Sequence, residues 1–328
     1  GCCESRHDAT QFAQFANRPY NHDPSLAGAN GALEAVGRAA EAIKGASIRA
    51  PEPVALRDMR LALLSLPREA ANVPEVPEAE IQEVVHVLRE EINNSDVVLT
   101  GLVLMRYLAQ RHENQKKMAG AAAVALVLQA LRLHSTNPTL QGVACDTLGN
   151  LLQSEENTAQ FLQARGVDAI FQVVEHNMAH TRVMEAACFL LGNVASTEEG
   201  LVHISRLQGG IAALKVMKSH DGDAELLREL LFLISNMAQS ESLQGELLGA
   251  GAVDAIISTM GHHEMSSEVQ AMACSVLDNL STGSNPQFTA SSDQAVEAIL
   301  RALRHHNSDG GVVRRAASAI ASIAQHAP

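Results

Sequence analysis

The sequence predicts an all-α solenoid of about six stacked three-helix repeats, and three observations carry that prediction. The first is a helical phrase that recurs without insertion: Asn150 in TLGNLL, Asn193 in LLGNVA, Asn236 in LISNMA and Asn279 in LDNLS stand 43 residues apart. One more step forward falls on Ser322 in IASIAQ and one step back on Tyr107 in LMRYLA, so six phrases share one phase. A fixed period in the forties is the mark of stacked helical units, each of which buries its apolar face only against its neighbours. The second is a companion phrase in the same register: Val167-Asp-Ala-Ile170, Ile211-Ala-Ala-Leu214, Val253-Asp-Ala-Ile256 and Val296-Glu-Ala-Ile299. The third is composition. Hydrophobic residues make up 46% of the chain, aromatics only 3%, and Trp is absent. A core of Ala, Leu, Val and Ile suits close-packed helices and argues against an all-β chain.

Taken in order, residues 1–24 are polar with scattered aromatics and read as a tail. Residues 25–77 supply an Ala-rich helix over 25–46, weakened by four glycines, and a second over 53–66 that Pro67 closes. These helices are expected to cap the first repeat, which otherwise exposes an apolar side. From residue 78 to 328 each clear unit has a short polar helix, a middle helix and a long third helix, as in SEENTAQFLQA, GVDAIFQVVEH and TRVMEAACFLLGNVA. Gly166, Gly210 and Gly251 precede the middle helices, where a tight turn is expected to need a residue without a side chain. Pro286, in STGSNPQFTASSD, predicts an irregular first helix in the last unit.

The positions Asn137, Leu140-Gln141, Ala144, Leu148, Asn150-Leu151, Gly166-Val167 and Ile170 give the pattern by which this chain resembles the armadillo-repeat family, over roughly residues 78–328. The resemblance implies a right-handed superhelix of three-helix units whose third helices line a concave, protein-binding groove. The best-known nuclear-import members carry Trp four residues before the groove Asn. Here those positions are Asp146, Phe189, Phe232, Ser275 and Ser318, so the likeness does not extend to a nuclear-signal receptor.

Asn inside a helix is unfavourable relative to Ala by several tenths of a kcal/mol, so its recurrence needs a compensating partner. Two partners fit its amide: the backbone of an extended peptide, or a loop or helix end in the adjacent repeat. The resemblance favours the first, with Tyr107, Asp146, Asn150, Phe189, Asn193, Phe232, Asn236 and Asn279 as the candidate groove. At the usual helix spacing of about 8–10 Å, four Asn residues make a ladder on the order of 30 Å, matched by roughly nine residues of extended chain. Either phenylalanine also fits a place in the core.

Two further ladders read differently. Cys145, Cys188 and Cys274 each stand five residues before an Asn, a repeated small site where a free thiol acts as a hydrophobe. His134, His220, His263 and His306, with Asn177 in the remaining unit, end the middle helices. One histidine per repeat cannot bring three ligands to within about 2 Å of one zinc, so a helix-capping role is expected and no metal site. No phosphate-cradling glycine loop, nucleophile elbow or carboxylate pair stands out. The sequence offers no catalytic site and calls for no cofactor.

The formal charge of −13 disfavours nucleic acid and favours basic proteins or extended peptides as partners. The opening GCCESR fits myristoylation at Gly1, with Ser5 in place, and palmitoylation at Cys2 and Cys3. One acyl chain binds a membrane reversibly and a second makes anchoring stable, so the adjacent cysteines matter. A cleavage scar at Gly1 or a metal site with His7 are the alternatives, the latter short of ligands. The longest apolar run, Met118–Leu128, falls short of the roughly 18 residues that a membrane span requires, and the odd cysteine count fits a reducing cytoplasm. The expected function is a non-enzymatic adaptor at the cytoplasmic face of a membrane, a layout similar to acylated armadillo adaptors. The alternative is a structural assembly protein of a cytoskeletal or ciliary complex.

Overall fold

The computed structural model describes residues 73–283 and 285–326. Gly1, Cys2 and Cys3, and the helices expected over 25–46 and 53–66, lie outside the described residues. Helices follow one another with short turns: α1 (Glu78–Glu90), α2 (Ser95–Leu108), α3 (His112–Gly120), α4 (Ala123–Leu133), α5 (Pro138–Leu151) and α6 (Glu155–Gln163). Then come α7 (Gly166–His176), α8 (Thr181–Val194), α9 (Glu198–Arg206), α10 (Gly209–Ser219), α11 (Ala224–Met237) and α12 (Glu241–Gly249). The order closes with α13 (Ala252–His262), α14 (Ser267–Ser281), α15 (Pro286–Thr289), α16 (Ser292–His305) and α17 (Gly310–His326). Beginning at α3, these make five triplets of short, middle and third helix, and α1 and α2 are the middle and third helices of the unit before. As Pro286 implies, α15 is a single four-residue turn.

The period is written into the helix starts. Asn94, Asn137, Asp223 and Ser266 cap α2, α5, α11 and α14 by accepting a hydrogen bond from a first-turn N–H, at 3.1–3.4 Å. Asp309 does the same before α17, accepting from Gly311 and Val312. Such caps satisfy donors that a helix leaves open and contribute about 1 kcal/mol each. In the same phase His180 precedes α8 and makes no side-chain cap.

The chain divides into two compact units, Gly1–Gln160 and Phe161–Pro328. In the first, third helices α2 and α5 pack together, with α4 against α5. In the second, α8 packs on α11, α11 on α14 and α14 on α17. The packed faces are aliphatic: Leu102, Met105, Leu140 and Leu148 in one unit, and Leu230, Ile234, Val276 and Leu277 in the other, all buried. Burying each such side chain stabilises by about 1.5–3 kcal/mol, the main return for ordering the chain. Cys145, Cys188 and Cys274 are thiols buried in these faces.

The glycines before the middle helices act differently from expectation. The left-handed residue in that turn is Ala122, Arg165, Gln208 or Gly251 in successive repeats, so Gly251 alone is a glycine chosen for its φ of 81°. Gly166 is instead the first residue of α7, and a Cβ there meets the Phe161 ring at 2.3 Å. Gly210 lies inside α10, with the Glu246 carboxylate 3.1 Å from where a Cβ would stand. Close approach, rather than backbone conformation, selects glycine at these two positions.

Candidate functional site

Within the first unit, α2 and α5 bring Arg106, Tyr107, Asp146 and Asn150 to one face. Asn150 Nδ2 donates to the Arg106 carbonyl at 3.1 Å, and Arg106 Nη1 donates to Asp146 Oδ2 at 3.1 Å. The Asp146 carboxylate is almost fully buried while the arginine is about one-fifth exposed. Tyr107 is half-buried beside them, and burial raises its phenol pKa above the usual value.

Within the second unit the same contact is repeated between successive third helices. Asn236 Nδ2 donates to the Gly192 carbonyl at 2.9 Å. Asn279 Nδ2 donates to the Ser235 carbonyl at 2.8 Å and reaches Ser235 Oγ at 3.1 Å. Arg106, Gly192 and Ser235 each fall among the last four residues of a third helix, where carbonyls have no partner inside the helix. The amide therefore satisfies an open helix end one repeat earlier, which compensates for Asn in a helix interior. Of the two partners the sequence left open, this is the adjacent repeat. Asn236 and Asn193 are buried, whereas Asn279 is half-exposed.

The phenylalanines divide. Phe189 is buried in α8, whereas Phe232 is half-exposed, and its ring occupies the space that a Cβ on Gly192 would need. Around Phe232 the same helices present a charged row that the Asn phase did not reveal. Arg182 pairs with Glu185 on α8 at 3.1 Å. On α11, Arg228 pairs with Glu229 at 2.7 Å and with Glu225 at 3.4 Å, and reaches Glu268 of α14 at 3.5 Å.

Glu229 stands out in this row because its side chain is only 4% exposed. Burial pushes its pKa up to about 7, against the opposing pull of Arg228, and the carboxylates of Glu185 and Glu225 add to the rise. Burial likewise raises Glu185, with Arg182 opposing. A signal for Glu229 was present in the sequence: its phase carries Val143, Ala186 and Met272 in the neighbouring repeats, so a carboxylate there breaks the pattern.

The histidine ladder takes no part in this face, and the cysteines are buried beneath the helices that form it. Burial raises the Cys188 thiol far above its ordinary range and pushes Cys274 up to about 12, so both stay protonated and unreactive. His134, His220, His263 and His306 are the C-caps of α4, α10, α13 and α16. Each sets its Nε2 against a carbonyl 42 residues earlier, Ile92, Met178, Asp221 and Glu264, at 2.6–2.8 Å. They join the ends of consecutive middle helices. Among the described residues no group of three His, Cys, Asp or Glu is placed to hold a metal ion, and no helix is long and apolar enough to cross a membrane.

Three-helix units, a period of 43 residues and third helices tied by asparagine define an armadillo-type solenoid. The family model described as the GAC ARM domain matches residues 61–281, and the chain belongs to that family. The match begins inside the segment read from sequence as capping helices and ends with α14. Among solved structures, the chain is similar to an engineered protein, with a TM-score of 0.67 and 22% identity over 76% of this chain and 98% of that one. It is also similar to a chain from a structure on the phosphorylation switch in the interaction between cadherin and beta-catenin. There the TM-score is 0.64 at 12% identity, over 83% of this chain and 60% of that one, so this chain spans less than two thirds of its length. No curated protein matches the sequence.

Proposed function

We propose that the chain is a non-enzymatic, protein-binding adaptor that takes basic, extended segments along the third helices of its second unit. The observation that supports this is the face around Phe232. It combines a half-exposed aromatic ring with Glu225 and Glu268, whose side chains are 63% and 48% exposed. Those carboxylates outnumber their common partner Arg228, leaving negative potential beside an apolar contact, which suits lysine or arginine next to an aliphatic residue. Asn279, half-exposed on the next helix, adds an amide at the edge of the face. The protein partners of armadillo solenoids agree with this reading, as does the net charge of −13.

The same proposal places the adaptor at the cytoplasmic face of a membrane through acyl chains on Gly1, Cys2 and Cys3. Its support is the sequence GCCES alone.

The test is proximity labelling in the native cell by the unaltered protein, a Gly1→Ala form, and a form carrying Glu225→Lys with Glu268→Lys. Charge reversal at the two exposed carboxylates is expected to remove a set of labelled proteins while the circular dichroism spectrum stays unchanged. Gly1→Ala is expected to remove membrane labels and to lower the intact mass through loss of the acyl chains, although the substitution itself adds one methylene. A partner set indifferent to charge reversal would overturn the binding face. An intact mass with no acyl group would overturn the anchor.

A further inference from the structure

Glu229 occupies a position that the neighbouring repeats fill with Val143, Ala186 and Met272, so packing alone gives no reason for a carboxylate there. What it does touch is Arg228, and it shares that guanidinium with two other carboxylates. Arg228 Nη2 stands 2.7 Å from Glu229 and 3.4 Å from Glu225, and its Nε stands 3.5 Å from Glu268. Glu229 is buried, whereas Glu225 and Glu268 face solvent, so one cation lies between an inner carboxylate and two outer ones.

Carboxylates that share one cation compete for it. Ionised, Glu229 has the shortest contact and the least aqueous surroundings, where attraction is screened least, and it holds the charge of Arg228 inward. Three carboxylates against one guanidinium then leave two negative charges, and these lie toward solvent on Glu225 and Glu268. Protonated, Glu229 loses that hold. Arg228 is left to the outer pair, and a single negative charge remains.

The other groups around Glu229 leave this balance to it. From α8 come Arg182 and Glu185, paired with each other at 3.1 Å, and the Cys188 thiol, which burial keeps protonated. On α14, Asp278 is the one charged residue besides Glu268, and it accepts from Ser318. α10 also packs on α11, but its Lys215 and Lys218 are exposed, and His220 at its end is set against the Met178 carbonyl. Burial raises Glu229 to about 7 against the pull of Arg228, with Glu185 and Glu225 adding to the rise and Arg182 opposing it. The inner carboxylate therefore changes charge near neutral pH, where ordinary carboxylates do not.

We propose that Glu229 makes the binding face around Phe232 proton-sensitive: ionised, it keeps Arg228 away from Glu225 and Glu268 and leaves them to the cations of a basic segment, and protonated, it releases Arg228 to neutralise them. The proposal rests on the reading of that face as the site for basic segments.

The probe is a fluorescently labelled peptide of about ten residues, acetylated and amidated and built of Lys, Arg, Leu and Ser, so that nothing in it titrates between pH 6 and pH 8. Its twin carries Glu in place of Lys and Arg. Anisotropy with the 328-residue chain at constant ionic strength is expected to show the basic peptide binding about five- to tenfold more tightly at pH 8 than at pH 6. Glu229→Gln fixes the neutral form, and its affinity is expected to stay near the weaker value at every pH. The Nε–Hε NMR signal of Arg228 is expected to move through the same pH window in the unaltered chain and to stay in place in Glu229→Gln. Unchanged circular dichroism confirms that the variant folds. Binding indifferent to pH, tighter at pH 6, or equally pH-dependent in Glu229→Gln would overturn the inference, and so would a stationary Arg228 signal. No binding of the basic peptide at any pH, or equal binding of its acidic twin, would instead overturn the reading of the face, and the inference with it.

Discussion

At the scale of single residues, the asparagines and Glu229 show how one helix face serves two ends. Asn236 donates to a Gly192 carbonyl that its own helix leaves open, in a place closed to water. Removing a partner from a buried acceptor costs the bond and strands the acceptor, so Asn236→Ala is expected to destabilise by roughly 1–2 kcal/mol. Asn279→Ala is expected to cost less, because its site is half-exposed and water can reach the Ser235 carbonyl. Urea titration of the two variants checks the order, and equal losses would contradict it. Glu229 makes the opposite contribution. Its folded pKa of about 7 stands above the ordinary 4.5, so the folded chain holds a proton that the unfolded chain releases. Its contribution is fully present below about pH 4.5 and is lost as pH rises through 7, by up to about 3 kcal/mol at about 1.4 kcal/mol per pKa unit. Glu229→Gln keeps the shape without the charge. It is expected to raise the melting temperature at pH 8, to leave it nearly unchanged at pH 5, and so to flatten the profile between them. A parallel profile for the variant would mean that Glu229 does not titrate in that window.

At the scale of elements, the turn between short and middle helix holds one residue in the left-handed region in four of the five described triplets, and three of those use a residue with a side chain there. Gln208, at φ 55°, carries the steric cost that Gly251 avoids one repeat later. Gln208→Gly is therefore expected to stabilise by about 1 kcal/mol despite the greater freedom glycine has when unfolded. Gly166→Ala is expected to destabilise by about 1–3 kcal/mol, since a Cβ at 2.3 Å from the Phe161 ring forces that buried ring to move. Thermal denaturation of both checks the signs. These turns also show what sequence could and could not convey. Periodicity located the third helices and the buried cysteines, because repetition at 43 residues averages out local ambiguity. Gly166 and Gly210 were visible but assigned to the wrong constraint, because packing and a positive φ select the same residue type; Gly251 does occupy the tight turn expected of it. The Asn ladder left its acceptor open for a similar reason. The carbonyl of a preceding helix end and that of a bound peptide are one chemical group, and only coordinates place Gly192 and Ser235 beside Asn236 and Asn279. Glu229 was legible as a break in phase, but its burial came from the packing of α8, α11 and α14.

At the scale of the whole molecule, the ties within each compact unit join a repeat to the one before it. Histidine reaches back 42 residues and asparagine 44, and contacts of this kind make stability a sum of local terms rather than a property of one core. Stability then differs along the chain, and within the second unit the last described repeat is expected to have the least of it. There α15 is a four-residue turn, and α16 buries Ala295, Ala298, Ile299 and Ala302, of which one alone is larger than Ala. One side of α17 faces solvent at Val313 and Ala317. The last repeat's polar ties to the preceding one include His306 against the Glu264 carbonyl, beyond the end of α13, at 2.7 Å, and Ser318 donating to Asp278 of α14 at an exposed site at 2.6 Å. By contrast α11 and α14 bury ten or more residues each and have helices on both sides. Native-state hydrogen exchange is therefore expected to show amides of α16 and α17 opening at lower free energy than those of α11 and α14, as a cooperative group. Uniform protection from α8 to α17 would show instead that the unit unfolds as one block.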